Sequence, residues 1–263
     1  MARISTSALN LTPISGKDFF KALGNVSAFL RAAGDISLSG TGNVVHYFNR
    51  ANAPLVAEGA AKPENTPVPG SVTVLPKKFV SVRIFTEEAV EVSTAFAQQI
   101  VDYAKSDIAL EVDEFIASNT VEAGITTLGA LPAVEVGSDA DFETAVIGLP
   151  GLAYGLVLSN SMLGYMRALR GVQGNRYFDI TADNINGMPY YVFESAERVG
   201  FVADWKRYTV GGQRGDTATK VRDQGIIGGV NLLETNSVAF ITEAFIGFGA
   251  KPGAVIKIVP ATS

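Results

Sequence analysis

The sequence predicts an α+β fold organised around one long projecting β-hairpin. Three observations carry that expectation. Two arms rich in β-branched and aromatic residues flank a Pro- and Gly-rich tip between residues 44 and 85. One long amphipathic helix follows, and a strand–break–strand pattern closes the chain.

The N-terminal stretch, 1–43, is polar and rich in Ser, Thr and Gly. Within it Phe19, Phe20, Leu23, Val26, Phe29 and Leu30 recur at helical spacing. The hairpin comes next. Its outward arm is Val44-Val45-His46-Tyr47-Phe48-Asn49-Arg50. Its return arm is Val72-Thr73-Val74-Leu75 and then Phe79 to Phe85, with the same alternation. Pro63, Pro67, Pro69 and Gly70 lie between the arms. Proline fixes φ and removes a donor, so the tip is neither helix nor central strand. An isolated two-stranded ribbon is marginal in water. Its apolar residues therefore call for cover, and a neighbouring copy of the chain is the economical source.

Ser93 and Thr94 are plausible N-caps for a helix over about 93–118, on the order of 35 Å long. Phe96, Ile100, Ala104, Ile108, Val112 and Phe115 form its apolar stripe, expected to face the closing strands. Asp102, Lys105, Asp107, Glu111 and Glu114 fall mainly off it, as on a solvated face. Residues 120–138 read as a loop-rich connection. Asp139 or Asp141 is the expected cap of a helix running to about Ile147. Gly155–Leu158 reads as a buried strand. Ser159 or Asn160 caps a helix carrying Met162, Leu163, Met166 and Leu169, which ends at Gly171-Val172-Gln173-Gly174-Asn175-Arg176-Tyr177-Phe178. Strands are expected at 187–192 and 199–204, and a mobile Gly- and charge-rich loop at 211–229. Val238, Phe240, Ile246 and Phe248 then precede a Lys251-Pro252-Gly253 break, and Ala254–Val259 forms the last strand.

Val56-Ala57-Glu58-Gly59-Ala60-Ala61-Lys62-Pro63-Glu64 closely resembles the extended-loop tip of tailed-bacteriophage major capsid proteins, the Hong Kong 97 fold. The long helix, the strand–helix–"GNRY" unit at 158–178 and the strand pair at 238–258 follow in that family's order. The resemblance implies four parts. Residues 1–43 are an N-terminal arm and 44–92 an extended loop. Residues 93–135 and 237–263 form a peripheral domain with a spine helix, and 136–236 an axial domain. It implies a major capsid protein assembling as hexamers and pentamers of an icosahedral head around double-stranded DNA. Host cytoplasm is then the site of assembly, and the virion capsid the final location. An arm that follows Met1 directly implies a separate scaffold protein or none; portal and decoration proteins are further partners. An encapsulin-type nanocompartment shell keeps the fold with a different role. A soluble ligand-binding or hydrolytic domain is the reading from another class.

Composition agrees with an assembly. Charged residues are 18% of the chain, below the roughly 25% usual for soluble domains. Low charge suits extensive apolar interfaces. The net charge of −5 and the lack of any basic run exclude a protein that condenses nucleic acid by its own charge. Without cysteine there are no disulfides or thiolate metal sites. No signal-peptide pattern opens the chain. The uncharged part of Thr144–Met166 is broken by Gly148, Pro150, Gly151, Gly155 and Gly164, so no membrane span is expected.

Conventional catalysis finds no support. The single histidine, His46, sits on the hairpin, and no Gly-x-Ser-x-Gly elbow exists. The Gly-rich run at 211–220 lacks the Gly-Lys-Ser/Thr ending of a phosphate loop. No cofactor and no metal are expected. Some members of the resembled family weld subunits by an isopeptide bond between a loop lysine and an asparagine, assisted by a glutamate. The matching residues here are Lys62, Asn236 and Glu243. A protonated lysine is a poor nucleophile and needs a nearby carboxylate in a dry site. The expectation is instead a non-covalent contact of Glu58, Lys62 and Glu64 with the neighbouring subunit.

Overall fold

The structure, a computed structural model, describes residues 25–48, 69–91, 94–151, 153–171 and 174–262. It opens with a short helix, α1 (Ala28–Ala32), and a strand, β1 (Gly34–Ser37). The hairpin strands are β2 (Asn43–Phe48) and β3 (Pro69–Val74), antiparallel with Phe48 opposite Pro69 and Asn43 opposite Val74. Pro76 interrupts the return arm, and β4 (Lys77–Thr86) leaves the hairpin altogether. It pairs over ten residues with the long strand β14 (Ser237–Ala250). The expectation of one ribbon extending to Phe85 is therefore corrected. The alternation from Phe79 to Phe85 is that of a sheet strand with one face on a helix.

That helix is α3 (Thr94–Ala117), preceded by the short α2 (Glu87–Glu91). Ser93 and the side chain of Phe96 lie outside the described residues. Ile100, Ala104, Ile108, Val112 and Ile116 are all buried. Ile108, Val112 and Ile116 pack in one cluster with Phe79 of β4 and Ala244, Ile246 and Phe248 of β14. Ile100 joins Val238 and Phe240 at the other end. The helix thus lies on the closing strand, as its periodicity requires.

The second edge of β14 takes two collinear partners, β10 (Thr209–Gln213) and β11 (Ala218–Arg222), both antiparallel; β1 extends the sheet beyond β10. The expectation of a mobile loop over 211–229 is overturned here. Glycine is needed at 212 because a Cβ there would lie 2.1 Å from the Ile36 carbonyl oxygen. Close backbone approach, not disorder, explains that glycine. Arg214-Gly215-Asp216 forms the turn between the two strands. The rest of the stretch holds a small β12 (Ile226–Ile227) and β13 (Val230–Asn231) hairpin.

A six-stranded mixed sheet forms the second half. Its order is β5 (Ala133–Val136), β15 (Val255–Pro260), β9 (Gly200–Ala203), β6 (Gly155–Ser159), β8 (Met188–Phe193) and β7 (Asn184–Ile185). β5 is a strand within what reads as a loop-rich connection. β6 is buried at every position, as its unbroken apolar run predicts. Helices α4 (Asp139–Ile147) and α5 (Asn160–Ala168) cover one face, where Phe142, Met162, Met166 and Phe178 pack on Leu156, Leu158 and Val202. The cap of α4 is Ser138, whose Oγ accepts from the Asp141 amide. Asp141 in turn accepts from Ser138 Oγ and the Gly137 amide, which hold its carboxyl below the usual range. Ser159 caps α5 in the same way.

Residues 25–38 belong to this body, although the sequence places them in an arm. Phe29 is fully buried, with ring centroids 5.4 Å from Phe193, 5.5 Å from Phe201, 5.9 Å from Trp205 and 6.1 Å from Phe248. One side chain therefore joins both sheets. Its position is fixed by Asp113, a buried carboxylate on α3. Asp113 accepts from Ser27 Oγ at 2.6 Å and from the Ala28 and Phe29 amides at 2.8 and 3.2 Å.

Burial pushes the Asp113 carboxyl up to about 6, against the pull of those three donors. An acid whose folded pKa lies above its unfolded value favours the folded state most below the unfolded pKa. That contribution is lost as pH rises through about 6. The stability difference between the wild-type chain and Asp113→Asn should shift toward wild type by about 1.4 kcal/mol between pH 7.5 and about 5. Denaturant titration at the two pH values measures it, and a constant difference would contradict the burial argument.

Candidate intersubunit surface

The β2–β3 hairpin is seated on the body, and its root is built in detail. Val74 is fully buried over two glycines of β14. A Cβ at Gly249 would lie 2.5 Å from Val74 Cγ2 and 3.0 Å from Val72 Cγ1; one at Gly247 would lie 2.7 Å from Val74 Cγ1. The two glycines form a notch that seats the return strand. The Leu75 amide donates to the Gly124 carbonyl, and Lys77 pairs with Glu122. On the outward strand the Tyr47 ring lies 5.0 Å from Lys251 Nζ, which also lies 4.8 Å from the Tyr208 ring. The body of the same chain thus covers the root, and the expectation that the ribbon lacks cover of its own is corrected there. Val44 remains 55% exposed, and His46 is exposed.

Gly249→Val should displace the return strand from its notch. A forced methyl contact of this kind costs about 1–3 kcal/mol. Limited proteolysis should show faster cleavage within 43–74, and unchanged cleavage with unchanged stability would count against the notch.

The sheet beside the hairpin has two unlike faces. Ser81 and Arg83 of β4 point to α3, where Arg83 Nη2 and Nε donate to Asp107 at 2.6 and 2.9 Å and Ser81 Oγ donates at 2.8 Å. These donors, Arg83 foremost, hold the Asp107 carboxyl below its usual range. The sequence places Asp107 on a solvated face; only the strand opposite reveals its partner. On the other face Val80 and Val82 are 46% and 45% exposed. Glu243 stands beside them on β14, 2.5 Å from Lys78 and 3.1 Å from Lys220. Those lysines, Lys78 first, lower its pKa.

The five sequence-predicted site residues are not all brought together. Glu58, Lys62 and Glu64 lie outside the described residues. Asn236 occupies a left-handed turn, φ 50°, immediately before β14, and its carbonyl accepts from the Glu87 amide at 2.9 Å. Glu243 lies seven residues further along the strand. At about 3.3 Å per residue the two are roughly 23 Å apart, so one subunit cannot supply both to one reaction. A carboxylate held ionised by two lysines is also a weak base for a third. Among the described residues no group of three His, Cys, Asp or Glu could hold a metal ion. No described helix is long and apolar enough to cross a membrane.

The chain matches no protein-family model and no curated protein by sequence. It does match solved structures over nearly its whole length. A structure from Mycobacterium phage Bobi superposes with a TM-score of 0.64 at 19% identity, covering 100% of this chain and 96% of the other. One from Microbacterium phage Oxtober96 gives 0.65 at 16% identity, with 99% and 95% covered. The capsid of an empty GTA particle computed with C5 symmetry gives 0.62 at 16% identity, with 90% of each chain covered. The chain shares the fold of these phage and GTA-capsid structures, so the resemblance read from its sequence holds at the level of the fold.

Proposed function

We propose that this chain is the major capsid protein of a tailed double-stranded DNA bacteriophage, self-assembling into hexamers and pentamers of an icosahedral head. The observation that carries the reading is the end-to-end fold likeness to structures that include a particle capsid. The hairpin supports it. A strand pair seated firmly at its root and carrying a Pro- and Gly-rich tip beyond residue 48 suits contact with a neighbour. In this reading the hairpin is the extended loop. The long helix with β4 and β14 is the peripheral domain, and the six-stranded sheet with α4 and α5 the axial domain. The genome is enclosed without sequence-specific contacts, and scaffold, portal and decoration proteins are the further partners.

Electron microscopy of the purified protein tests the proposal. Closed shells are expected, with DNA inside those purified as complete particles. A monodisperse monomer would sink it, and shells filled by a cargo enzyme would assign the encapsulin role.

Lys62 is proposed to contact an acidic or carbonyl group of the neighbouring subunit without a covalent bond. Desolvation offsets much of such a pair's Coulombic gain. Lys62→Ala should therefore weaken particles and leave the subunit fold unchanged. On denaturing electrophoresis mature particles should run at the 27.7 kDa of the single chain. A ladder abolished by both Lys62→Ala and Asn236→Ala would establish the covalent alternative.

A further inference from the structure

The chain passes between the two sheets at 118–132, 204–208 and 251–254. The middle crossing is a short helix, α6 (Trp205–Tyr208), between β9 of the six-stranded sheet and β10 of the other. Beside it lies α1, which touches β6 and β8 of the first sheet, β10 of the second, and α3. Five residues are too few to hold a helix together in water. Both ends of α1 are gripped from outside.

The first amides and last carbonyls of a helix have no partners within it. At the start of α1, Asp113 of α3 takes the Ala28 and Phe29 amides and the Ser27 hydroxyl. At its end, Lys206 of α6 donates to the carbonyls of Arg31 at 3.1 Å and Ala33 at 2.6 Å. An acid on the long helix thus holds one end, and a base on the crossing holds the other. Between them Phe29 fills the junction, against Phe193 and Phe201 of one sheet and Phe248 of the other. The crossing at 251–254 offers little resistance to a turn. Its Gly253 has φ 72°, and no atom outside its immediate neighbours lies within 4 Å of where a Cβ would be. Hinge motions are absorbed at a few such loop positions.

We propose that α1 is a clasp that fixes the angle between the two sheets, and that releasing its ends lets them pivot at the 204–208 and 251–254 crossings. Three of its bonds converge on one carboxylate and two on one ammonium, so the joint depends on two side chains. This goes beyond the shell reading and does not depend on it.

The lack of native cysteine permits a clean test. Leu110→Cys on α3 and Ile147→Cys on α4 carry one spin label beside each sheet, at positions 42% and 82% exposed. Double electron–electron resonance on the full-length, unassembled chain then reads the distance between the labels. The clasp is opened by Ser27→Ala together with Lys206→Met. Amides 28–33 should exchange with solvent at least about tenfold faster. The distance distribution should become at least about twice as broad, with cooperative unfolding retained. Faster exchange with an unchanged distribution would overturn the proposal, because the clasp would be open and the angle held elsewhere. Unchanged exchange would overturn it as well, because neither side chain would then hold the segment. Lys206→Met alone, at an exposed position, carries the same test should the double variant fail to fold. Both measurements use the unassembled subunit, so neither outcome bears on whether shells form.

Discussion

Deleting residues 53–68 should leave a folded subunit that does not close into particles. The deletion keeps the β2–β3 ladder, because Asn49 to Asn52 remain to join Phe48 to Pro69. Four residues are within the usual length of a hairpin connection. The root contacts at Gly247, Gly249, Gly124 and Lys251 lie outside the deleted stretch and are kept. Only the tip, with Glu58, Lys62 and Glu64, is removed. Far-ultraviolet circular dichroism and denaturant melting should match the full-length subunit, while electron microscopy should find no closed shells. Normal shells from the deleted chain would remove the hairpin from the assembly mechanism.

Ile108→Ala should cost the subunit about 2–5 kcal/mol, the range for large-to-small changes in a packed core. Ile108 is 1% exposed and lies between the long helix and the sheet, against a cluster that includes Phe79, Ala244 and Ile246. The side chain sits where a helix and two paired strands meet, so collapse into the vacated space would require the helix to shift against both. On the same helix Leu110 is 42% exposed and serves as the internal control. Leu110→Ala should change stability by no more than about 0.5 kcal/mol in the isolated subunit. Denaturant unfolding of both variants measures the contrast. Equal effects would mean that the apolar stripe is not the buried face.

Several elements were legible because their signals are local. The stripe from Ile100 to Val112 has the 3.6-residue period that a one-sided helix requires. Leu156-Val157-Leu158 is short, unbroken and apolar, as a strand covered on both faces must be. Elsewhere the local signal pointed the wrong way. Gly211-Gly212-Gln213 reads as a flexible loop, yet Gly212 is a strand residue crowded by the Ile36 carbonyl. Phe79–Phe85 alternates like a hairpin arm, yet its partner is β14, some 160 residues distant in the chain, and not β2. Alternation identifies a strand without identifying its partner. Asp113 gave no warning at all. It is one more carboxylate on an acidic helix, and only the return of residues 27–29 to that point makes it a buried acceptor. The candidate site was the least legible part. Asn236 and Glu243 enter only through the family resemblance, and the structure places one in a turn and the other seven residues along β14.

By itself the sequence determined the α+β class, the pairing of the two strands that flank the Pro- and Gly-rich stretch, the long helix with its buried face, and the absence of cysteine chemistry. Each follows from residue type and short-range period, which act within a few residues along the chain. The tertiary structure alone decided which strands pair with β14, which glycines are notches and which are turns. It also decided that Phe29 ties the two sheets together and that Glu243 is held by two lysines. These depend on groups brought together across tens to hundreds of residues, and no local period encodes such a meeting.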